Sequence, residues 1–307
     1  MSATIRAGRR SVTISRPEKV LIPPSVTKAG LAGYYEAVAS AMLTQVAHRP
    51  LNYERYPDGI DGQRIFQQHA AAYFPDWIAR VEVPAARGTV QHVMAEDAAT
   101  LVYLAGQACI TFHPWLSRSD RLERPDRLVI DLDPSVGEPD EVRQAARIIG
   151  ELLRELDLTP WAMTTGSRGY HVVVPLQRRL EFDAVREFAR SVAELAAARH
   201  PKVFTTEQRK AKRGGKILID VQRNAYAHTS VAPYAVRARP GAPVATPLVW
   251  EELEDKATHP RRWTVDSVPG RLEADGDPWR RFSRGASSLT RANQLLGQAL
   301  AESRSAR

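Results

Sequence analysis

The sequence predicts a mixed α+β fold centred on a split βαβ sheet. Between residues 128 and 221 the apolar pattern alternates between strand-like and helix-like segments in the order β-α-β-β-α-β. The composition, 43% hydrophobic and 25% charged over 307 residues, is that of a globular chain. The stretch Leu128-Val-Ile-Asp-Leu-Asp-Pro134 closes the first strand of that sheet with two carboxylates.

Residues 1–16 hold four arginines and are expected to form a flexible basic arm. Residues 17–125 read as an N-terminal α/β module. Its first segment, 18–22, is extended and is broken by Pro23-Pro24. Thr27 caps a helix over about 28–47, where Leu31, Tyr34, Val38, Met42 and Val46 recur at three-to-four spacing. Residues 51–56 alternate as a half-buried strand does, 57–62 form a turn, and 64–69 a short strand. A hairpin is expected over 81–94, turning near Arg87-Gly88, then a helix at 98–106 and a strand at 110–115.

The central module, 126–255, opens with the strand at 128–133. An amphipathic helix follows over 138–157, with Val142, Ala145, Ile149, Leu152 and Leu156 on one side. Strands at 161–165 and 170–174 flank a tight turn at 166–169. A helix at 183–199 and a strand at 217–221 complete the unit. Residues 229–237 read as a further strand and 250–253 as a short helix. The segment 256–307 is expected to lie on the surface, with 262–284 wrapped around it and a final helix at 289–303. All of these are expected to form one compact domain.

The formal charge is 43 − 35 = +8 and the pI is near 9.8. Such a balance favours a polyanionic partner, nucleic acid before an anionic membrane. No apolar run approaches the roughly 20 residues that span a bilayer. The N-terminus lacks the apolar core of a signal peptide. A cytoplasmic protein with no membrane partner is the expectation. Cys109 is the single cysteine, which excludes an internal disulfide and a Cys-rich zinc site.

Residues two apart on a strand face the same way, so Asp131 and Asp133 lie opposite Leu132. Neighbouring carboxylates oppose each other's ionisation, and a hard cation such as Mg²⁺ or Mn²⁺ relieves that. A strand running into an acidic Asp-Pro turn is the plainer alternative. Asp220 ends the apolar strand Ile217-Leu-Ile219, and it neighbours Asp131 only in some variants of this topology. The hairpin Thr165-Gly-Ser-Arg-Gly-Tyr-His171 offers backbone amides with Ser167, Arg168 and His171, a set suited to a triphosphate. Gly-x-x-Gly turns occur in any hairpin, and a strand histidine also suits a core. Three carboxylates holding two ions fit phosphoryl or nucleotidyl transfer. The loop 201–216 carries Lys202, Arg209, Lys210, Lys212, Arg213 and Lys216. It is either a solvated loop or a phosphate-contacting one with Arg213 nearest the centre.

Leu128–Pro134, Thr165–His171 and Ile217-Leu-Ile-Asp220 resemble the three motifs of the archaeo-eukaryotic primase superfamily. Asp220-Val-Gln-Arg-Asn224 and Val231-Ala-Pro-Tyr-Ala-Val-Arg237 are similar to one branch of it: the polymerase domains of bacterial non-homologous end-joining DNA ligases, and their stand-alone relatives. The similarity runs over about 12–253. It implies a primase-polymerase fold, with an antiparallel RRM-like catalytic sheet and an N-terminal α/β module. It implies a template-dependent nucleotidyltransferase that extends primers and fills short gaps in DNA repair, favours ribonucleotides and recognises a 5′-phosphate. Asp131, Asp133 and Asp220 would hold two Mn²⁺ or Mg²⁺ ions. His113, Thr165, Arg168, His171, Arg223 and Arg237 would contact the nucleotide, Phe66 the template, and Lys19 and Lys28 the 5′-phosphate. The implied partners are gapped or broken double-stranded DNA, NTP or dNTP, and a separate ligase and end-binding protein. A monomer in the bacterial nucleoid is implied. Thr165 stands where serine is common, Arg168 where lysine is frequent, and Gln68 where the family often has lysine; Ile65-Phe66 lacks a second aromatic. No Lys-x-Asp-Gly ligase motif is present. A de novo primase, a non-catalytic end-bridging module and a metal-dependent nuclease are the alternatives.

Overall fold

The computed structural model describes residues 1–85, 88–135 and 139–305. They divide into two compact units that exchange segments along the chain. Unit 1 comprises Met1–Asp120, Thr229–Thr246 and Trp263–Arg280; unit 2 comprises Arg121–His228, Pro247–Arg262 and the remainder from Arg281. The division therefore departs from the consecutive blocks 1–16, 17–125, 126–255 and 256–307 read from the sequence.

In unit 1 the expected flexible arm is instead an antiparallel hairpin, β1 (Ser2–Ala7) and β2 (Arg10–Ser15). Its few apolar residues all point inward: Ala7, Val12 and Ile14 are buried while the arginines face solvent. A second hairpin, β3 (Val20–Ile22) and β4 (Val26–Thr27), turns at Pro23-Pro24, joined by a cis bond. Thr27 caps α1 (Lys28–Ala37), its side chain accepting from Gly30 N. The expected 20-residue helix is two helices. Val38, at φ −93°, ψ 0°, leaves the α region before α2 (Ala39–Val46) begins.

The sheet of unit 1 contains β5 (Leu51–Arg55), β6 (Ile65–Gln67), β7 (Arg80–Pro84), β8 (Thr89–Val93) and, after α3 (Ala98–Gly106), β9 (Cys109–Pro114). The expected turn residue Arg87 lies outside the described residues. β5 pairs with both β6 and β9, so it is an interior strand, buried at Leu51 through Glu54 rather than half-buried. Ile14 of β2 packs on Gly106 of α3, where an added Cβ would lie 2.7 Å from its Cδ1. A two-residue strand, β10 (Ser117–Arg118), follows.

The returning segment 229–237 is not a strand. It makes isolated bridges at Thr229 and Val236. Pro233 has no N–H to donate, and Tyr234 takes φ +68°, which extended pairing does not allow. Side chains hold it instead: Tyr34 Oη donates to Tyr234 O, Tyr35 Oη accepts from Val236 N, and Thr111 Oγ1 donates to Val236 O. The stretch expected to wrap the surface is likewise anchored. Trp263, Val268 and Trp279 are buried, and a helix spans Val268–Asp275.

Unit 2 begins with β11 (Arg121–Pro125), then β12 (Arg127–Pro134), α4 (Pro139–Glu155), β13 (Trp161–Thr164), β14 (Tyr170–Pro175), α5 (Phe182–Arg199), β15 (Phe204–Thr205), β16 (Ile217–Asp220) and β17 (Pro247–Leu248). Glu138, expected to begin the helix now labelled α4, lies outside the described residues. The sheet order is β15-β16-β12-β14-β13-β17, antiparallel except for β15 with β16. Within it, β16-β12-β14-β13 is the split βαβ arrangement with the first strand inside. Trp250, in the short 3₁₀ turn Trp250–Leu253, lies so close to Gly150 of α4 that an added Cβ would meet its ring at 2.3 Å. Phe282, also assigned to the surface from sequence, is buried in this unit, and a helix at Leu289–Ser305 ends it.

α4 packs on β12 and β14, and α5 on β12. Leu128, Ile130 and Leu132 are fully buried. A one-residue slip of β12 would exchange these three for Val129 and the two aspartates. At about 2 kcal/mol for each apolar side chain that gives way to an aspartate, that is on the order of 4 kcal/mol, a large share of a domain's stability. The core thereby determines which face the carboxylates occupy.

Candidate active site

Pairing across three strands of unit 2 sets the chemistry out in a row. Asp131 on β12 stands opposite His171 on β14 and opposite Asp220 on β16. Residues paired across an antiparallel ladder share a face, and Asp133 joins them by alternation. His171 Nε2 lies 3.5 Å from Asp131 Oδ1, and Arg223 Nε 3.5 Å from Oδ2. Burial pushes the Asp131 carboxyl up, but the charge and hydrogen bonding of His171 and Arg223 outweigh it and hold it below the ordinary carboxylate range. Asp133 is gripped from two sides: Arg168 Nη2 reaches Oδ1 and Arg213 Nη1 reaches Oδ2, each at 3.1 Å. Asp220 Oδ1 accepts from Gln222 N at 2.8 Å.

The hairpin is braced by Thr165. Its hydroxyl donates to Gly169 O at 2.9 Å and accepts from Ser167 N and Gly169 N. Gly166 supplies the positive φ, +62°, that the turn requires. Ser167 O accepts from Arg261 Nε at 2.8 Å. A cavity of about 420 Å³ lies beside this turn, bounded by Pro134, Ser135, Ser167, Arg168, His259 and Arg261 among others. Arg213 is nearly buried at 7% exposure, so this residue of the basic loop belongs to the carboxylate cluster, while Arg209, Lys210 and Lys212 remain exposed.

Among the described residues, no group of three or more His, Cys, Asp or Glu side chains is gathered to hold an ion as the rotamers stand. Asp131 and Asp133 are turned to arginines, and Asp220 to the Gln222 amide. Even so, the donor set fits hard divalent cations: three carboxylates on one face, all oxygen ligands, two of them paired with side-chain cations that a metal can replace.

Unit 1 holds the other sequence-predicted residues. Lys28 is buried, its ammonium 2.6 Å from Ser15 O, and Lys19 pairs with Asp58 at 2.8 Å. Burial, then the charges of Arg16, Lys19 and Arg55, pulls the Lys28 ammonium below its ordinary value. Phe66 is 44% exposed on β6, with its ring 5.9 Å from that of His113 and the Arg64 guanidinium 5.8 Å away. Arg237 is half-buried in the returning segment.

Two contributors escaped sequence reasoning. Asn224 brackets β12, donating to Val129 O and accepting from Val129 N, so the Arg223 turn is fixed beside Asp131. Glu54 pairs with His113 Nε2 at 3.2 Å. Neither depends on a local signal, since both partners are distant in sequence.

Comparison with known proteins places this geometry. A model of the LigD primase-polymerase domain matches residues 27–279. The chain belongs to this family. The multifunctional non-homologous end joining protein LigD of Pseudomonas aeruginosa is 36% identical over 283 residues, 91% of this chain and 34% of that protein. The LigD of Mycobacterium tuberculosis is 32% identical over 302 residues, 94% of this chain and 40% of that protein. The chain thus spans well under half the length of these relatives. Among solved structures, the polymerase domain of Mycobacterium tuberculosis Ligase D in complex with DNA superposes with a TM-score of 0.84 at 31% identity. It covers 90% of this chain and 99% of that one. The LigD polymerase-domain fold is therefore the fold of this chain. No helix among the described residues is long and apolar enough to cross a membrane.

Proposed function

We propose that the chain is a template-dependent nucleotidyltransferase that extends primer ends and fills short gaps in DNA during break repair. The observation that carries this reading is the row His171–Asp131–Asp220, with Asp133 beside it and three arginines around it. A nuclease needs the carboxylates alone; guanidinium groups gathered beside them suit a substrate that brings its own negative charge, as a triphosphate does.

Asp131, Asp133 and Asp220 would hold two Mg²⁺ or Mn²⁺ ions. Bound there, such ions would supply Lewis acidity for an attacking hydroxyl and for a leaving pyrophosphate. The chain's own groups account for the rest. Arg168, Arg213 and Arg223 neutralise the carboxylates in the free protein and turn to the phosphates when nucleotide arrives. Ser167, the amides of the Thr165 turn and His171 orient the triphosphate. His113 and Arg237 contact the nucleotide, and a ribose 2′-hydroxyl beside His113 favours ribonucleotides. Phe66 stacks on the template base. Lys19 and Lys28 receive the 5′-phosphate of the downstream strand. A separate ligase and an end-binding protein act with it in the nucleoid, and the chain works as a monomer.

The test is nucleotide addition to a primed, gapped duplex, with and without a 5′-phosphate, with ribo- and deoxyribonucleotides. Addition is expected with Mg²⁺ or Mn²⁺ and lost on chelation. Asp133→Ala should abolish addition while DNA binding persists; addition surviving that change would sink the assignment. Incubation on an unprimed single strand separates the gap-filling enzyme from a primase.

A further inference from the structure

Glu54 occupies the middle of the unit 1 sheet, on β5, with Phe66 of β6 opposite on one side and Thr111 of β9 opposite on the other. Its carboxylate is a hub. Oε1 accepts from His113 Nε2 at 3.2 Å and from Arg64 Nη2 at 3.1 Å, while Oε2 accepts from Tyr56 Oη at 3.0 Å. Arg64 in turn covers the Phe66 ring, and Phe66 neighbours His113. Glu54 is 8% exposed and Phe66 44%. One buried charge therefore ties together three groups that reach the surface.

We infer that Glu54 is a positioning residue, which fixes the His113 ring and, through Arg64, the Phe66 ring as a single nucleotide-reading surface. This rests on the reading above that His113 and Phe66 contact nucleotide and template. Stability does not explain a charge in that place. A buried ion pair is commonly matched or exceeded by apolar residues of similar volume, because removing two charges from water costs about what their attraction returns. Orientation does explain it. An ionised carboxylate is an acceptor only, so His113 Nε2 must carry the proton that it donates. That sets the tautomer and limits rotation of the ring, as an outer partner does for a ligating histidine. The carboxylate is ionised under all ordinary conditions. Burial pushes it up, yet His113, Arg64 and the Tyr56 hydroxyl together bring it down to about 2.

The experiment uses the full chain with Glu54→Gln, Glu54→Ala, His113→Ala and the double variant Glu54→Ala/His113→Ala. Nucleotide KM and kcat are measured on a gapped duplex. Glu54→Ala is expected to raise KM at least about fivefold with kcat changed less than about twofold. On the His113→Ala background it should add less than about twofold, because its effect passes through that ring. Full multiplication of the two effects, or an unchanged KM in Glu54→Ala, overturns the inference. The ¹H–¹⁵N spectrum of the His113 ring provides a readout independent of activity and of folding losses in the alanine variant. A slowly exchanging Nε2 proton is expected in the wild type and is lost or shifted in Glu54→Gln; an identical ring spectrum in the two overturns the inference. If the wild type adds no nucleotide, the polymerase reading fails alone, and the ring spectra still decide the role of Glu54.

Discussion

Gly169→Ala should open the catalytic sheet at the place where it carries its charges. A Cβ at Gly169 would stand 1.9 Å from Leu132 O and 3.1 Å from Leu132 C. An ordinary C···O contact is roughly 3.3 Å, so the hairpin and β12 must separate by about 1.4 Å. The obstructing atom is backbone, and Leu132 is paired in register with Tyr170, so no side-chain rotation relieves the clash. Overpacking of this kind costs about 1–3 kcal/mol, and each ladder hydrogen bond lost adds about 1 kcal/mol. A total of about 2–5 kcal/mol corresponds to a fall in Tm of about 3–8 °C for a chain of this size. Asp133 adjoins Leu132, so the turn that presents Ser167 and Arg168 would also move by more than an ångström relative to it. Misplacement on that scale reduces rate by about a hundredfold. Calorimetry and primer extension are the assays. Gly33→Ala, in α1 with nothing within 4 Å of the added Cβ, is the control and should gain about 0.5–1 kcal/mol. A Gly169→Ala protein that melts within about 1 °C of wild type and extends primers at the wild-type rate would refute the close approach of β14 to β12.

Three further outcomes are expected. Lys28→Ala should erase the preference for a 5′-phosphorylated over a 5′-hydroxyl gap in a fluorescence-anisotropy titration, and should reduce the salt dependence of binding by about one phosphate contact. Trp279→Ala removes a side chain that is 1% exposed and should cost about 3–5 kcal/mol, read by urea unfolding, although no substrate contact is assigned to it. Glu54 has a folded pKa of about 2 against an ordinary 4.5, so its ionised form stabilises the fold above pH 4.5 and that contribution disappears as pH falls towards 2. Relative to its own protonated form, not to an apolar replacement, the contribution is on the order of 3 kcal/mol. Glu54→Gln should flatten the acid limb of the stability profile, and an unchanged limb would show that other carboxylates set it.

The central sheet was legible because its signals are redundant. Leu128, Ile130 and Leu132 alternate with the two aspartates, and the helical period of Val142, Ala145, Ile149 and Leu152 identifies the covering layer. The position of Asp220 was half legible: the residue type was visible, but its register opposite Asp131 is a property of strand order. The N-terminal hairpin was hidden because Val12 and Ile14 alone cover its inner side, amid Arg6, Arg9, Arg10 and Arg16. Residues 229–237 look β-prone, and no local pattern announces a tyrosine at φ +68° held by Tyr34, Tyr35 and Thr111. Low apolar density misled over 262–284, where Trp263, Val268, Trp279 and Phe282 are few but all inside. The grips of Arg213 on Asp133 and of Glu54 on His113 bridge 80 and 59 positions and leave no trace in local spacing.

The exchange of segments between the two units has a consequence for biosynthesis. Unit 1 receives Thr229–Thr246 and Trp263–Arg280, and unit 2 receives its last piece from Arg281 onward. A ribosome releases the chain from its N-terminal end, so most of unit 1 emerges long before the tyrosine-anchored return and Trp279 arrive to seal it. Neither unit can mature before its late segments emerge; both wait for residues well beyond Thr229. Nascent chains should therefore expose unsealed sheet and depend on chaperones until those segments emerge. A stop codon near residue 255 would leave the entire carboxylate row encoded and still yield a protein unable to close either half.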